Sequence, residues 1–263
     1  MSQDSLVNPI VIKIGGSTLG NHDTTLEDIV TLQKRGVPLV VVHGGARRVT
    51  EWLDRHGIST SFVDGVRVTD ERSLEVVAAV LGGLVNTELV AAINSLGGEV
   101  VGMTGVDGNL IESKIEDPRL GVVGRIVRVN PRAVQSLLQA GLVPLIAPPA
   151  AKALEETASV PFINVNGDDI VGELAVVLNA ERLIFLTDVD GIQDDDGTFM
   201  EELSREKAVS LMKSGVISGG MIPKARSALT ALKTARKVQI VDGRQPHALL
   251  NAIEGDGSGT NIQ

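Results

Sequence analysis

Two lysines near opposite ends of the chain each sit beside paired glycines. Lys13 lies in Val11-Ile12-Lys13-Ile14-Gly15-Gly16-Ser17, and Lys224 in Ser218-Gly219-Gly220-Met221-Ile222-Pro223-Lys224. Glycine lets backbone N–H groups approach an anion closely, and lysine adds a mobile positive charge. Between them come His43-Gly44-Gly45 and Asn164-Val165-Asn166-Gly167-Asp168-Asp169. Repeated glycine–lysine pairing is the chemistry of holding phosphate. Lys13 interrupts an apolar strand near its C-terminal end, where open α/β sheets bind ligands; an edge-strand lysine reaching solvent is the plainer reading. Lys224 stands in the first turn of a helix, where a cation opposes the dipole unless an anion is shared. Asn164, Asn166 and Asp168 alternate at a strand end, so period two aims them to one side if the strand persists. Capping would explain Asn166 or Asp168 alone. Arg67 suits bidentate binding of a carboxylate, or a surface ion pair. Thr187-Asp188 closes another apolar strand and is either a turn cap or a nucleotide contact.

Several chemistries are excluded. Gly15 and Gly20 have Walker A spacing, but Asn21 and His22 follow in place of Lys and Ser or Thr. Gly255, Gly257 and Gly259 do not make a dinucleotide fingerprint and read as a flexible turn. Asp194-Asp195-Asp196-Gly197 lacks the full calcium-loop pattern. The four histidines have no zinc spacing, and the absence of cysteine removes thiolate ligands and nucleophiles; no protein-made metal site is expected. A net charge of −9 and 2% aromatic residues argue against nucleic acid. Gly82 and Gly83 break the longest apolar stretch, and Met1 to Pro9 lacks the pattern of a signal peptide. A cytoplasmic protein with no membrane partner is expected.

The elements that must position these residues read as α/β. Apolar runs ending in glycine alternate with helical periodicity: Pro9 to Ile14, then a helix from Thr24; Pro38 to Val42, then a helix from Ala46. A long helix is expected over Asp70 to Leu96, capped by Thr69 or Asp70, and a hairpin over Asn109 to Asn130. Val143 to Ala147 is expected to end as a strand at Pro148-Pro149. The polar, alanine-rich stretch Ala150 to Val160 is the candidate boundary between residues 1–160 and 161–263. Phe162 to Asn166 and Arg182 to Val189 read as strands. Helices are expected over Asp168 to Leu178, Glu201 to Lys213 and from Pro223, with Pro223 at the first helical position.

Taken in order, these pieces resemble the amino acid kinase family. They are joined by Asp64-Gly65-Val66-Arg67-Val68-Thr69-Asp70, Gly105-Val106-Asp107-Gly108, Leu186-Thr187-Asp188-Val189 and Gly259-Thr260-Asn261-Ile262. The Arg67 and Asn164 blocks are similar to the branch acting on N-acetylglutamate. The resemblance implies an open, mostly parallel sheet sandwiched by helices, in three α/β/α layers. It implies transfer of the γ-phosphoryl group of ATP, with Mg2+ on its phosphates, to the γ-carboxylate of N-acetyl-L-glutamate, a step of arginine biosynthesis. Residues 1–160 would bind the acceptor and dimerise; residues 161–263 would bind ATP. Lys13 and Lys224 would neutralise the moving phosphoryl group, and Asp168 would hold both. Gly16, Gly44 and Gly45 would offer amides. Arg67 would grip the α-carboxylate, and Asn164, with Asn166 nearby, would face the acetamido group. Gly15, Gly16, Ser17, Thr187, Asp188, Gly219, Gly220 and Met221 would line the nucleotide site. The short lead before the first strand implies a homodimer insensitive to arginine. Ala46, Arg47, Arg48, Val106 and Gly167 depart from the family pattern around the acceptor. A kinase of carrier-linked aminoadipate, or a non-catalytic sensor, are therefore competing readings.

Overall fold

The computed structural model describes residues 8–15, 24–255 and 257–263. Gly16 and Ser17, expected at the nucleotide site, lie outside the described residues. The first half runs β1 (Ile10–Ile14), α1 (Thr25–Lys34), β2 (Leu39–His43), α2 (Ala46–Arg55), β3 (Phe62–Val63), β4 (Val66–Arg67), α3 (Glu71–Ala78), a π-helical segment Ala79–Val85, α4 (Asn86–Ser95), β5 (Val100–Gly105), β6 (Ile111–Ile115), β7 (Val123–Val129), α5 (Arg132–Gln139) and β8 (Val143–Lys152). The second runs β9 (Phe162–Val165), α6 (Gly167–Val177), β10 (Arg182–Thr187), β11 (Glu202–Leu203), α7 (Arg205–Ser214), α8 (Met221–Ala231), β12 (Lys237–Asp242), α9 (Ala248–Glu254) and β13 (Thr260–Ile262).

Among the described residues, eleven strands form one sheet, and β3–β4 forms a separate hairpin. The central strands are parallel in the order β12-β10-β1-β2-β8. β1, β2 and β10 are apolar along nearly their whole length because both of their faces are covered. One face packs on α5, α6, α7 and α8 through Val134, Ile170, Leu174, Leu211, Ala225 and Ala228. The other packs on α1, α2, α3, α4 and α9 through Ile29, Leu53, Val77, Ile93 and Leu249. This is the expected three-layer sandwich. From β1 the chain goes to β2 on one side, and the later β10 fills the other. That divergence opens a crevice at the C-terminal ends of β1, β2 and β10.

Asp70 caps α3 as expected, accepting from the Ser73 amide at 2.7 Å, and β6 and β7 form the expected antiparallel hairpin. Asp64 and Gly65, both at positive φ, make the tight turn of the β3–β4 hairpin. Other expectations are corrected. β8 does not end at Pro148-Pro149 but runs to Lys152, because the prolines occupy the irregularity between Thr104↔Ala147 and Gly105↔Ala150. Beyond it, β8 pairs with β6 and β9. Gly255, Gly257 and Gly259 lie outside helix and strand, and the chain after them, Thr260–Ile262, pairs with β12. α7 begins at Arg205, capped by Ser204; Glu202–Leu203 is a strand. α8 begins at Met221, so Pro223 is its third residue and Lys224 its fourth. Glu71–Ser95 forms 25 helical residues, apolar enough by length and composition to cross a membrane, yet 39% of its most apolar window is buried within the protein.

Candidate active site

Lys13 is the penultimate residue of β1. Its side chain shares a face with Val11 and meets the start of α6, where Asn166 caps the helix by accepting from the Asp168 amide at 2.8 Å. Lys13 Nζ lies 3.0 Å from Asp168 Oδ1. Lys224 Nζ, from the first turns of α8, donates to Asp168 Oδ2 at 3.1 Å and reaches the Gly220 carbonyl at 3.4 Å. The Lys13 contact is an ion pair off hydrogen-bond alignment, since Oδ1 has no hydrogen-bond partner. Asp168 is 4% exposed and Lys13 6%. Burial alone would raise the Asp168 pKa; the charges of Lys13 and Lys224 outweigh it and hold the carboxyl below its usual range. Two cations on one buried anion leave a net positive charge at the crevice.

That crevice is a cavity of about 330 Å3. Its wall includes Lys13, Gly15, Gly44, Gly45, Arg67, Asn164, Asn166, Asp168, Thr187, Asp188, Gly220 and Lys224. Residues from both ends of the sequence therefore converge. Gly219 and Met221 stand beside Gly220 without lining the cavity. The Gly44 amide is not available to a ligand, because it donates to the Ile14 carbonyl at 2.9 Å and extends the ladder. The expectation that Gly44 offers an amide is corrected on that ground; the Gly45 amide has no acceptor among the described residues.

Arg67 is 8% exposed. Its Nη2 donates to the Ala46 carbonyl and to Thr50 Oγ1, each at 2.8 Å, and Nη1 donates to Thr60 Oγ1 at 3.2 Å. The guanidinium lies 4.8 Å from the centre of the Phe62 ring. All these partners are neutral. Burial lowers the Arg67 pKa, and Asp54 only partly offsets it. A buried guanidinium with no carboxylate within ion-pair distance among the described residues is poised for an anion. Asn164 Nδ2 donates to Thr69 Oγ1 at 3.1 Å, which leaves its oxygen to accept from an amide. Thr50, Thr60, Phe62 and Thr69 escape sequence reasoning. Their contacts arise only when α2, the hairpin and β9 come together.

A second cavity of about 470 Å3 lies across the hairpin tip, lined by paired charges such as Asp169 with Arg226 and Glu116 with Arg125. Asn166 borders both cavities. Arg47 borders the 330 Å3 cavity and pairs with Glu51 at 3.2 Å, while Arg48 pairs with Glu88 at 3.0 Å; both side chains are exposed.

A three-layer sheet carrying two lysines on one aspartate at its strand ends defines a phosphate-handling class, and residues 8–242 match the model of the amino acid kinase family. The chain belongs to that family. It is 42% identical to an acetylglutamate kinase of Dehalococcoides mccartyi (strain CBDB1) over 254 residues, 96% of this chain and 93% of the relative. It is also 42% identical to an acetylglutamate kinase of Cereibacter sphaeroides (strain ATCC 17029) over 259 residues, 97% of this chain and 87% of the relative. A solved N-acetylglutamate synthase of Neisseria gonorrhoeae, with coenzyme A and N-acetyl-glutamate, superposes with a TM-score of 0.82 at 27% identity, over 97% of this chain and 59% of that one.

Proposed function

We propose that the protein is a kinase that transfers the γ-phosphoryl group of ATP to the side-chain carboxylate of N-acetyl-L-glutamate, giving N-acetylglutamyl 5-phosphate for arginine synthesis. The single observation that carries the reading is the Lys13–Asp168–Lys224 bridge in the same cavity as the unpaired Arg67. A carboxylate oxygen of the acceptor bonds to the γ-phosphorus as the bond to the β–γ bridging oxygen breaks, and ADP leaves with that electron pair. The acceptor is already ionised at neutral pH, so no general base is required. Charge spread over the moving phosphoryl oxygens is offset by Lys13 and Lys224, and positioning supplies the rest. Asp168 keeps both ammonium groups within reach of one small anion. Arg67 takes the α-carboxylate and Asn164 the acetamido N–H. Thr187, Asp188, Gly220 and the neighbouring Gly219 and Met221 take the nucleotide.

Mg2+ would be held by the ATP phosphates and would offset their charge, since both Asp168 oxygens face lysines and are poorly placed as metal ligands. Residues 1–160 form the acceptor lobe and residues 161–263 the nucleotide lobe, joined by the shared sheet. The enzyme is cytoplasmic and a homodimer. Ala79, Gly83 and Ala91 are small and exposed on the helical run Glu71–Ser95 and suit close approach of a second copy, and light scattering on the eluting protein reads its mass. The functional test is an acceptor panel with ATP and Mg2+, in which hydroxylamine traps the acyl phosphate. N-acetylglutamate should give hydroxamate well above glutamate, aspartate and N-acetylaminoadipate. Hydroxamate from N-acetylaminoadipate alone, or from no acceptor, would refute this assignment.

A further inference from the structure

His43 is fully buried at the end of β2, directly before the two glycines. Asn86, the first residue of α4 after the π-helical segment, donates its Nδ2 both to the Leu145 carbonyl at 3.0 Å and to His43 Nε2 at 3.1 Å. An amide nitrogen only donates, so His43 Nε2 accepts and the ring proton sits on Nδ1. Flipping Asn86 would set its oxygen against the Leu145 carbonyl. His43 Nδ1–H therefore donates to the Gly44 carbonyl at 2.9 Å. Burial lowers the His43 pKa to about 4, which keeps the ring neutral and the chain of donors intact at neutral pH.

The peptide plane gives this chain its consequence. In a trans peptide the Gly44 carbonyl and the Gly45 N–H point in opposite directions. Tethering the carbonyl inward to His43 turns the Gly45 N–H outward, toward the cavity that Gly45 lines with Lys13 and Lys224. The surroundings admit little else. A Cβ on Gly45 would come within 2.6 Å of Leu81 Cδ2, and one on Gly102 within 2.1 Å of Asn86 Oδ1. Leu81 belongs to the π-helical segment, whose widened turn precedes Asn86; such segments recur at functional sites.

We propose that His43 and Asn86 are positioning residues for phosphoryl transfer: the chain from the Leu145 carbonyl through Asn86 and His43 to the Gly44 carbonyl fixes the Gly45 N–H on the phosphoryl group in flight. The inference rests on the phosphotransferase reading above. It makes the Gly45 amide a donor that strengthens as charge develops on the phosphoryl oxygens.

Three variants and the wild-type protein are compared in the hydroxamate assay. His43→Phe and Asn86→Leu should lose kcat by about 10- to 100-fold, with KM for ATP within about twofold. His43→Asn, whose amide can stand where Nδ1–H stood, should recover most of the loss. Nitrogen-15 spectra of the wild type provide a readout independent of variant folding. They should show the Nδ1–H tautomer of His43, and a downfield shift of the Gly45 amide on adding MgADP, aluminium fluoride and N-acetylglutamate. Undiminished kcat in His43→Phe, an Nε2–H tautomer, or an unmoved Gly45 amide would overturn the proposal. Wild-type protein that forms no hydroxamate would instead sink the functional reading itself.

Discussion

Arg67 shows how a single side chain acquires a task from what surrounds it. Every group it touches is neutral, and Thr50 and Thr60 fix the planar fork while Phe62 covers one face. Lysine carries the charge but cannot reproduce this fork. Arg67→Lys should therefore raise KM for N-acetylglutamate by about 10-fold or more while leaving KM for ATP near its original value. Equal effects on both substrates would contradict the assignment. His43 makes a second prediction at this scale. Its folded pKa of about 4 lies below the ordinary value of 6.5, so the unfolded chain takes up the proton first. The stability from a neutral His43 is whole above about pH 6.5 and is lost as pH falls toward about 4, by up to about 3 kcal/mol. Urea unfolding of wild type and His43→Asn at pH 7 and pH 5 should show the wild type losing more. Lys13 and Lys224 are legible in the sequence because a charge inside an apolar strand, or beside paired glycines, is out of place; Asp168 and Arg67 each keep a plain alternative there, a cap and an ion pair, until the family resemblance is added. Asn86 and Thr50 are not legible, because an amide or hydroxyl on a helix is unremarkable until its partner on another element is known.

Elements set which of these residues can meet. β1, β2 and β10 read as buried parallel strands from their apolar runs, and the glycines directly after β1 and β2 mark the crevice. The β3–β4 hairpin was harder to see, because two-residue strands have no period. Its turn at Asp64-Gly65 packs the hairpin tip against the Gly219 loop: a Cβ on Gly65 would lie 2.7 Å from the Gly219 carbonyl oxygen. Gly65 also sits at φ +79°, where a side chain is strained. Gly65→Ala should therefore raise KM for both substrates, by several-fold each, in contrast to the one-sided effect of Arg67→Lys. A variant with both constants unchanged would show that the hairpin tip is not packed on the Gly219 loop. The departures at β8 and α8 share one cause. Local propensity ends a strand at proline and starts a helix there, whereas the sheet tolerates Pro148 and Pro149 at an irregularity and Pro223 fits within the first turn of α8.

At the scale of the whole molecule, the function depends on a sheet whose order does not follow the chain. Lys13 and Lys224 are more than two hundred residues apart, yet both end on Asp168 because β10 inserts beside β1 and α6 packs against α8. The repeated glycine–lysine pairing points to a shared phosphate, and the family resemblance implies that Asp168 holds both lysines; the sheet order supplies the physical reason. The most direct test is single-turnover acyl phosphate formation by Lys13→Ala and Lys224→Ala at saturating ATP and N-acetylglutamate, with folding checked by circular dichroism. Each substitution should slow the chemical step by about 100-fold or more, the scale of losing one preorganised charge contact. A folded variant of either lysine that transfers the phosphoryl group at the wild-type rate would contradict the account.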